Sequence, residues 1–93
     1  MPDATPLPTD RHAIYRLGPD LLLVFKPRGH REGVHAHPHP QRLRVLRGAL
    51  AVERGVRVDV VTADDAALAL AAGESHATEA RADTWLVVDS ARG

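Results

Sequence analysis

The stretch GVHAHPHPQRLRVLRG, residues 33–48, places three histidines within five consecutive positions and follows them with alternating apolar and arginine residues. Half of the six histidines in the chain therefore lie in one short segment. Two prolines lie among and after them, and proline resists regular strand pairing. The segment is either a metal-binding loop or a polar loop that happens to be rich in histidine, and the rest of the chain has to decide between the two.

The alternation after the histidines predicts where their side chains point, because alternate residues of an extended chain share a face. One face carries His35, His37, Gln41, Leu43 and Val45, and the other carries Arg42 and Arg44. Since Leu43 and Val45 must face the core, the same parity turns the glutamine and the histidines inward. Buried imidazoles need polar partners, and a divalent metal ion is one partner that would satisfy several of them at once.

The composition predicts one small domain with an aliphatic core. The chain has 93 residues, of which 44% are hydrophobic, and its only aromatic residues are Tyr15, Phe25 and Trp85. No apolar run approaches the roughly 20 residues of a membrane helix, so we expect a soluble protein. Twelve basic residues balance twelve acidic ones, and no aromatic residues lie among the arginines of residues 28–47. Both observations argue against nucleic-acid binding.

The first ten residues, MPDATPLPTD, differ from the rest because they are rich in proline and contain two aspartates. They lack the apolar segment of a signal peptide, so we expect a cytoplasmic protein. We predict an N-terminal arm over residues 1–10, disordered or laid across a partner subunit, and a single domain over residues 11–93. We also expect a homodimer, since so small a barrel buries only a modest fraction of its surface.

The rest of the chain is typical of short strands joined by turns. The predicted strands cover residues 21–25, 43–46, 49–53, 56–61, 66–71, 75–80 and 84–89, with a tight hairpin turn at Arg54 and Gly55. The alanine-rich segment 66–71 is compatible with helix or strand, and its length favours a strand. Turn signals about every ten residues predict an all-β sandwich or barrel.

A further histidine comes from a distant strand. The segment GESHATEA, residues 73–80, places His76 just after a glycine turn. Two histidines one residue apart, with a third from another strand, can form one triangular face of a metal site. That geometry leaves positions open for water or substrate, as catalytic sites require.

These residues resemble the two sequence motifs of the cupin superfamily. The first motif reads G-x5-H-x-H-x3/4-E-x6-G, and Gly29, His35, His37, Gln41 and Gly48 occupy its marked positions at the right spacing. The only substitution is glutamine for glutamate. The second motif, G-x5-P-x-G-x2-H-x3-N, is matched only by Gly73 and His76, since Asp65, Ala71 and Ala80 depart from it. The resemblance spans about residues 18–90.

The resemblance implies a small jelly-roll barrel of the RmlC-like cupin type with one divalent metal ion, Fe, Zn, Mn or Ni, at its open end. His35, His37 and His76 would bind the ion, and Gln41 would stand where the family has its carboxylate ligand. Three imidazoles and an amide are all neutral, so the ion would keep its full formal charge. It would then be a stronger Lewis acid, held less tightly. The alternative is a decayed site without metal, marked by the same glutamine.

Other polar residues receive more modest predictions. The prolines on either side of His39 imply a bend. We therefore expect that histidine at the pocket rim, or in contact with the ligands and not with the metal. Glu74 belongs to the same class, and neither Glu74 nor Tyr15 is favoured as an acid or base. His12 and His30 have no spacing partners and are interpreted as surface residues. Phe25 and Trp85 are interpreted as core residues.

Two functions remain open from the sequence. The first is a metal-dependent enzyme of the dioxygenase, isomerase or lyase type that acts on a small anionic or oxygenated metabolite. The second is a non-catalytic module that senses or stores a metal or a small ligand. The lack of a strong base favours the module, whereas an inward histidine set that solvent can reach favours the enzyme. Fold alone cannot decide between them, and no catalytic residue is assigned.

Overall fold

The computed structural model describes residues 11–90, which form nine strands in two antiparallel sheets. The strands are β1 (Ala13–Gly18), β2 (Leu21–Lys26), β3 (Arg31–His35), β4 (Gln41–Arg47), β5 (Ala49–Arg54), β6 (Arg57–Thr62), β7 (Leu68–Leu70), β8 (His76–Ala80) and β9 (Thr84–Ser90). The all-β prediction is confirmed. Within the described ranges there is no helix long and apolar enough to span a membrane.

The two sheets enclose an aliphatic core. One sheet has the strand order β1-β2-β9-β4-β7 and the other has the order β3-β8-β5-β6, so strands distant in sequence lie side by side. The buried core cluster consists of Val24, Leu43, Val45, Leu50, Val52, Val61, Leu70 and Leu86. These side chains come from both sheets, as expected for two faces that pack on one another. No aromatic residue belongs to this cluster.

Most of the predicted strands are present, with three differences. The hairpin between β5 and β6 is confirmed, with Arg54 paired to Arg57 across the turn. The alanine-rich segment 66–71 is extended only over Leu68–Leu70. Strands β1 and β3 were not predicted, because their polar and apolar residues do not alternate clearly. The predicted N-terminal arm lies outside the described residues.

Residues 35–45 do not form one extended segment, in agreement with the bend predicted at Pro38 and Pro40. Strand β3 ends at His35 in the four-stranded sheet, and β4 begins at Gln41 in the five-stranded sheet. Residues 36–40, which include two prolines, therefore cross from one sheet to the other. The inward direction of the side chains still holds, because His35, His37 and Gln41 all line the cavity between the sheets.

The glycine that ends the first motif has a steric role. Gly48 lies in the turn between β4 and β5 with a φ of 97°, a conformation that other residues rarely adopt. A Cβ atom at this position would collide with the carbonyl oxygen of Asp83 and lie 2.7 Å from Oγ1 of Thr84. This close approach of two turns at one end of the sandwich requires glycine.

Candidate metal centre

Three histidines converge at one end of the cavity between the sheets; we call His35, His37 and His76 the histidine triad. His35 ends β3 and is paired directly with His76, the first residue of β8. Their ring centroids lie 4.5 Å apart, and the centroid of His37 lies 4.8 Å from that of His35 and 5.4 Å from that of His76. One potential ligand atom of each ring lies within 4.8 Å of the others. The predicted histidines are therefore brought together.

Backbone carbonyl groups fix two of these rings in a tautomer that leaves Nε2 free to bind a metal. Nδ1 of His35 lies 2.6 Å from the carbonyl oxygen of Gly33, and Nδ1 of His76 lies 3.1 Å from that of Glu74. A carbonyl oxygen only accepts hydrogen bonds, so each Nδ1 carries the proton. The lone pair is then on Nε2. Hydrogen bonds of this kind orient histidine ligands in metal sites.

The third ring is positioned through its backbone. The N–H group of Gly73 donates a 2.8 Å hydrogen bond to the carbonyl oxygen of His37, which ties the crossing segment to the turn before β8. Burial lowers the pKa of His37, and the neighbouring His35 and His76 lower it further. A lowered pKa favours the neutral imidazole, the form that binds metals. The donors, their tautomers and their spacing therefore fit a divalent ion.

Gln41, the residue at the position of the usual carboxylate, lines the same cavity from the first position of β4. Its Nε2 donates a 3.4 Å hydrogen bond to Oγ of Ser90, the last residue of β9. This contact engages the NH2 group and leaves the amide oxygen, the atom that could bind a metal, out of the bond. The structure thus places Gln41 in the same cavity as the triad.

The two residues predicted for the rim take different positions. His39 is exposed and does not line the cavity. Glu74 acts through its backbone, since its carbonyl oxygen holds the ring of His76. The carboxylate of Glu74 points elsewhere: it accepts a 2.8 Å hydrogen bond from the N–H group of Ala71 and lies 3.6 Å from Arg54.

The cavity that contains the triad has a volume of about 160 Å³. Its apolar wall is formed by Ile14, Leu22, Val24, Leu43, Leu50, Leu86 and Val88. Besides the triad and Gln41, its polar lining consists of His12, Lys26, Glu32 and Thr78. The site is thus a small chamber with an aliphatic side and two polar regions, and only one of these regions was predicted.

The second polar region corrects the interpretation of His12 and His30 as ordinary surface residues. Their rings stack with centroids 4.3 Å apart, and their Nε2 atoms lie 3.6 Å and 3.3 Å from Oε2 of Glu32. The same oxygen lies 2.9 Å from Nζ of Lys26, whose side chain is only 6% exposed. We call these four residues the Lys26 cluster.

The ion pair between Lys26 and Glu32 sets the charge of the Glu32 carboxylate. Burial acts to raise the pKa of the Glu32 carboxyl, but the hydrogen bond and charge of Lys26, with a contribution from His30, lower it to about 2. Glu32 is therefore ionised at all ordinary pH values. Burial lowers the pKa of His12, and His30 and Lys26 lower it further, against the opposing effect of Glu32.

One sequence signal could have revealed this cluster. Lys26 is the only lysine among twelve basic residues, and it ends the apolar run of β2 with the same parity as Leu22 and Val24. That parity points the ammonium group inward, and a lysine is almost never buried without a partner. The partner, Glu32, could not have been identified, because it pairs with Lys26 across space.

The three aromatic residues lie away from the cavity. Phe25 and Trp85 are paired between β2 and β9 with ring centroids 4.8 Å apart, and Tyr15 stacks on Trp85 at 6.4 Å. Phe25 is buried, as predicted, and Trp85 is only partly buried. Since none of the three lines the cavity, they are not part of a ligand-binding wall.

No protein-family model and no curated protein matches the chain, but several solved structures share its fold. A conserved protein of unknown function from Streptococcus pyogenes has a TM-score of 0.72 and 20% identity, and the match covers 92% of this chain and 80% of that one. A cupin superfamily protein from Desulfitobacterium hafniense has a TM-score of 0.72 and 12% identity, over 88% and 77% of the two chains. An RmlC-like cupin from Shewanella frigidimarina has a TM-score of 0.66 and 21% identity, over 88% and 86%. Likeness at this level shows the fold, so the chain has the small jelly-roll fold of these cupin structures.

Proposed function

We propose that this cupin domain binds one divalent metal ion at the histidine triad and acts as a metal-dependent enzyme on a small oxygenated or anionic metabolite. The observation that carries the proposal is the convergence of three rings inside a cavity, two of them with Nδ1 held by backbone carbonyls. An ion bound by neutral ligands would supply Lewis acidity to a coordinated oxygen, and a redox-active ion would in addition support oxygen chemistry.

The size and lining of the cavity support a small ligand. A volume of about 160 Å³ is close to that of a cavity that binds benzene, so it holds a compound of about six or seven heavy atoms. The aliphatic wall excludes water, which strengthens the interactions of any charge at the polar end. Gln41 contributes no negative charge, so an anionic ligand would not be repelled from its side of the site. These features favour a small carboxylate or a similar oxygen-bearing compound.

The Lys26 cluster supports an enzyme, because it adds proton-transfer groups that the sequence did not reveal. His12 lines the cavity with its Nε2 3.6 Å from the Glu32 carboxylate, and burial, which lowers its pKa, favours the neutral ring. A neutral imidazole can accept a proton from a ligand in the cavity. In the proposed reaction His12 would be the base, and Glu32 would hold its ring.

One observation favours the second candidate, a non-catalytic module that senses or stores a metal or a small ligand. Glu32 has a pKa of about 2 and is paired with Lys26, so its carboxylate is a poor base. If His12 does not transfer protons either, neither His12 nor Glu32 supplies a base to the reaction.

The two candidates are separated by metal analysis followed by turnover. Purified protein, loaded with Fe(II) or Zn(II), is given a panel of small keto and hydroxy acids, and oxygen uptake and loss of substrate are followed. Turnover that disappears in His12→Ala, while the metal is retained, supports the enzyme. Metal-loaded protein that binds members of the panel without converting them supports the module.

We also propose a cytoplasmic homodimer. The observation that supports assembly is an apolar row on β6 and the turn before it, where Val56 is fully exposed and Val58 and Val60 are about half exposed. Since β6 is an edge strand, this row could pack against a second copy. Light scattering at micromolar concentration should give about twice the chain mass of 10.1 kDa, and a mass near 10.1 kDa would contradict the dimer.

A further inference from the structure

The polar wall next to the histidine triad contains an atom that no residue satisfies. Thr78 is 5% exposed, and its Oγ1 is buried without a hydrogen-bond partner in the part of the chain that the structure describes. Thr78 lines the cavity. Buried hydroxyl groups are almost always hydrogen-bonded, because leaving one unpaired is costly. The hydroxyl of Thr78 is therefore available to a ligand.

The pairing of the strands places this hydroxyl between the two polar regions. Thr78 and His76 are two residues apart on β8 and so face the same side. Across the sheet, Thr78 is paired directly with Glu32, whose carboxylate holds the ammonium group of Lys26 at 2.9 Å. Side chains opposite one another in an antiparallel pair are within contact distance. A ligand at the triad thus has Thr78, Glu32 and Lys26 as neighbours.

The charges of this wall select the kind of group that it can bind. Glu32 is an acceptor, Lys26 is a donor, and Thr78 can be either. Because the ammonium group and the carboxylate compensate one another, the wall offers little attraction for a second anion, and Glu32 repels one. A hydroxyl group both donates and accepts, so it can bond to Glu32 and Thr78 together without introducing a charge.

We propose that the ligand of this cavity is a small hydroxylated acid: an oxygen-bearing end coordinates the metal, and a hydroxyl group two or three atoms away binds at Thr78, Glu32 and Lys26. This inference rests on the proposed metal site. Thr78 is then the residue that distinguishes a hydroxylated ligand from its deoxy analogue, since an unfilled polar wall penalises the analogue.

Three 2-hydroxy acids test this proposal because they share one chelating end. Lactate carries a methyl group beyond it, glycerate carries a hydroxymethyl group, and malate carries a second carboxylate. The enthalpy and affinity of binding are measured by titration calorimetry on Zn(II)-loaded protein, with both enantiomers of each acid. We expect the better enantiomer of glycerate to bind about tenfold more tightly than lactate, as one well-placed hydrogen bond allows, and malate to bind no better than glycerate.

The variant Thr78→Val keeps the shape of the side chain and removes its hydroxyl. It should retain Zn(II) and its affinity for lactate, while the preference for glycerate falls to within about twofold, as expected when a hydrogen bond is lost. Without ligand, Thr78→Val should raise the melting temperature, because an unpaired buried hydroxyl is removed. Thr84→Val is the matched control: Oγ1 of Thr84 is hydrogen-bonded to the backbone of Ala49 and Ala82, so this variant should lower the melting temperature.

The outcomes separate this inference from the proposed function. If the wild type does not retain Zn(II), both are overturned. If Zn(II) is retained but glycerate binds no better than lactate, or Thr78→Val keeps the preference, only the inference fails. Malate binding more tightly than glycerate would also overturn it, since the wall would then accept a second anion.

Discussion

The histidine triad and the Lys26 cluster have similar compositions and opposite properties. Each brings three potential ligand atoms within 4.8 Å of one another, from three histidines in the triad and from His12, His30 and Glu32 in the cluster. In the triad, backbone carbonyl groups hold two of the three rings. In the cluster, the ammonium group of Lys26 already lies 2.9 Å from the Glu32 oxygen where a metal would bind.

Comparison of the triad with the Lys26 cluster shows that ligand types and distances alone do not define a metal site. A metal ion next to Lys26 would be repelled by the ammonium group, and solvent screens this repulsion poorly because Lys26 is buried. We therefore propose the metal at the triad, and proton transfer or ligand recognition at the cluster.

The largest expected effect tests the triad. His35→Ala or His76→Ala removes a ligand from a set of three, so the affinity for Zn(II) or Fe(II) should fall by about a hundredfold or more. His39→Ala is the matched control, because it removes an exposed histidine from the same segment. Metal affinity is measured by competition against a chelator. An equal loss in His39→Ala would show that the ligands are assigned wrongly.

The next effect tests the ion pair of the cluster. Lys26→Met keeps the length of the side chain and leaves the Glu32 carboxylate without its partner, so the free energy of unfolding should fall by about 2 kcal/mol. Arg57→Met is the control, because Arg57 forms an exposed ion pair with Asp59 and should change stability by less than about 1 kcal/mol. The measurement is urea unfolding at pH 7. If the two variants are equally stable, the pair of Lys26 contributes no more than a surface pair.

Gln41→Glu tests whether Gln41 is a metal ligand in addition to the triad, since it restores the carboxylate of the cupin motif with almost the same shape. If Gln41 is a ligand, the added charge should increase metal affinity by about tenfold and weaken the binding of anionic ligands. Competition titration and calorimetry on one preparation measure both. An unchanged metal affinity would remove Gln41 from the ligand set and leave three histidines.

The smallest expected effect is the pH dependence of the cluster. The pKa of Glu32 is about 2 in the folded chain, below its ordinary value of 4.5, so its contribution to stability is present above pH 4.5 and is lost as the pH falls towards 2. The difference in unfolding free energy between wild type and Glu32→Gln should therefore shrink over that range. A difference that stays constant from pH 5 to pH 3 would show that Glu32 is not stabilised as an anion.

The triad was predictable because its signal is local. His35, His37 and Gln41 lie within seven positions of the chain, and His76 follows a glycine turn. Alternation of side chains holds only within each strand, since β3 and β4 belong to different sheets. The motif spacing carried the correct result because both strands face the same cavity.

The Lys26 cluster was not predictable because its residues have no common spacing. His12 precedes β1, Lys26 ends β2 and Glu32 lies in β3, so only the packing of the strands brings them together. His12 and Glu32 resemble surface residues in isolation, and only the parity of Lys26 pointed inward. The unpaired hydroxyl of Thr78 could not be predicted for a related reason. A threonine on a strand is common, and only the folded structure shows that its hydroxyl has no hydrogen-bond partner in residues 11–90.

The number of metal ions that the wild-type chain binds tests most directly whether the triad is the metal site. Equilibrium dialysis against Zn(II) at pH 7, followed by elemental analysis, should give one ion per chain, and the same measurement on His76→Ala should give none. Two ions per chain would contradict the assignment, because the Lys26 cluster would then bind metal in spite of its lysine. No ion in the wild type would contradict the metal site itself.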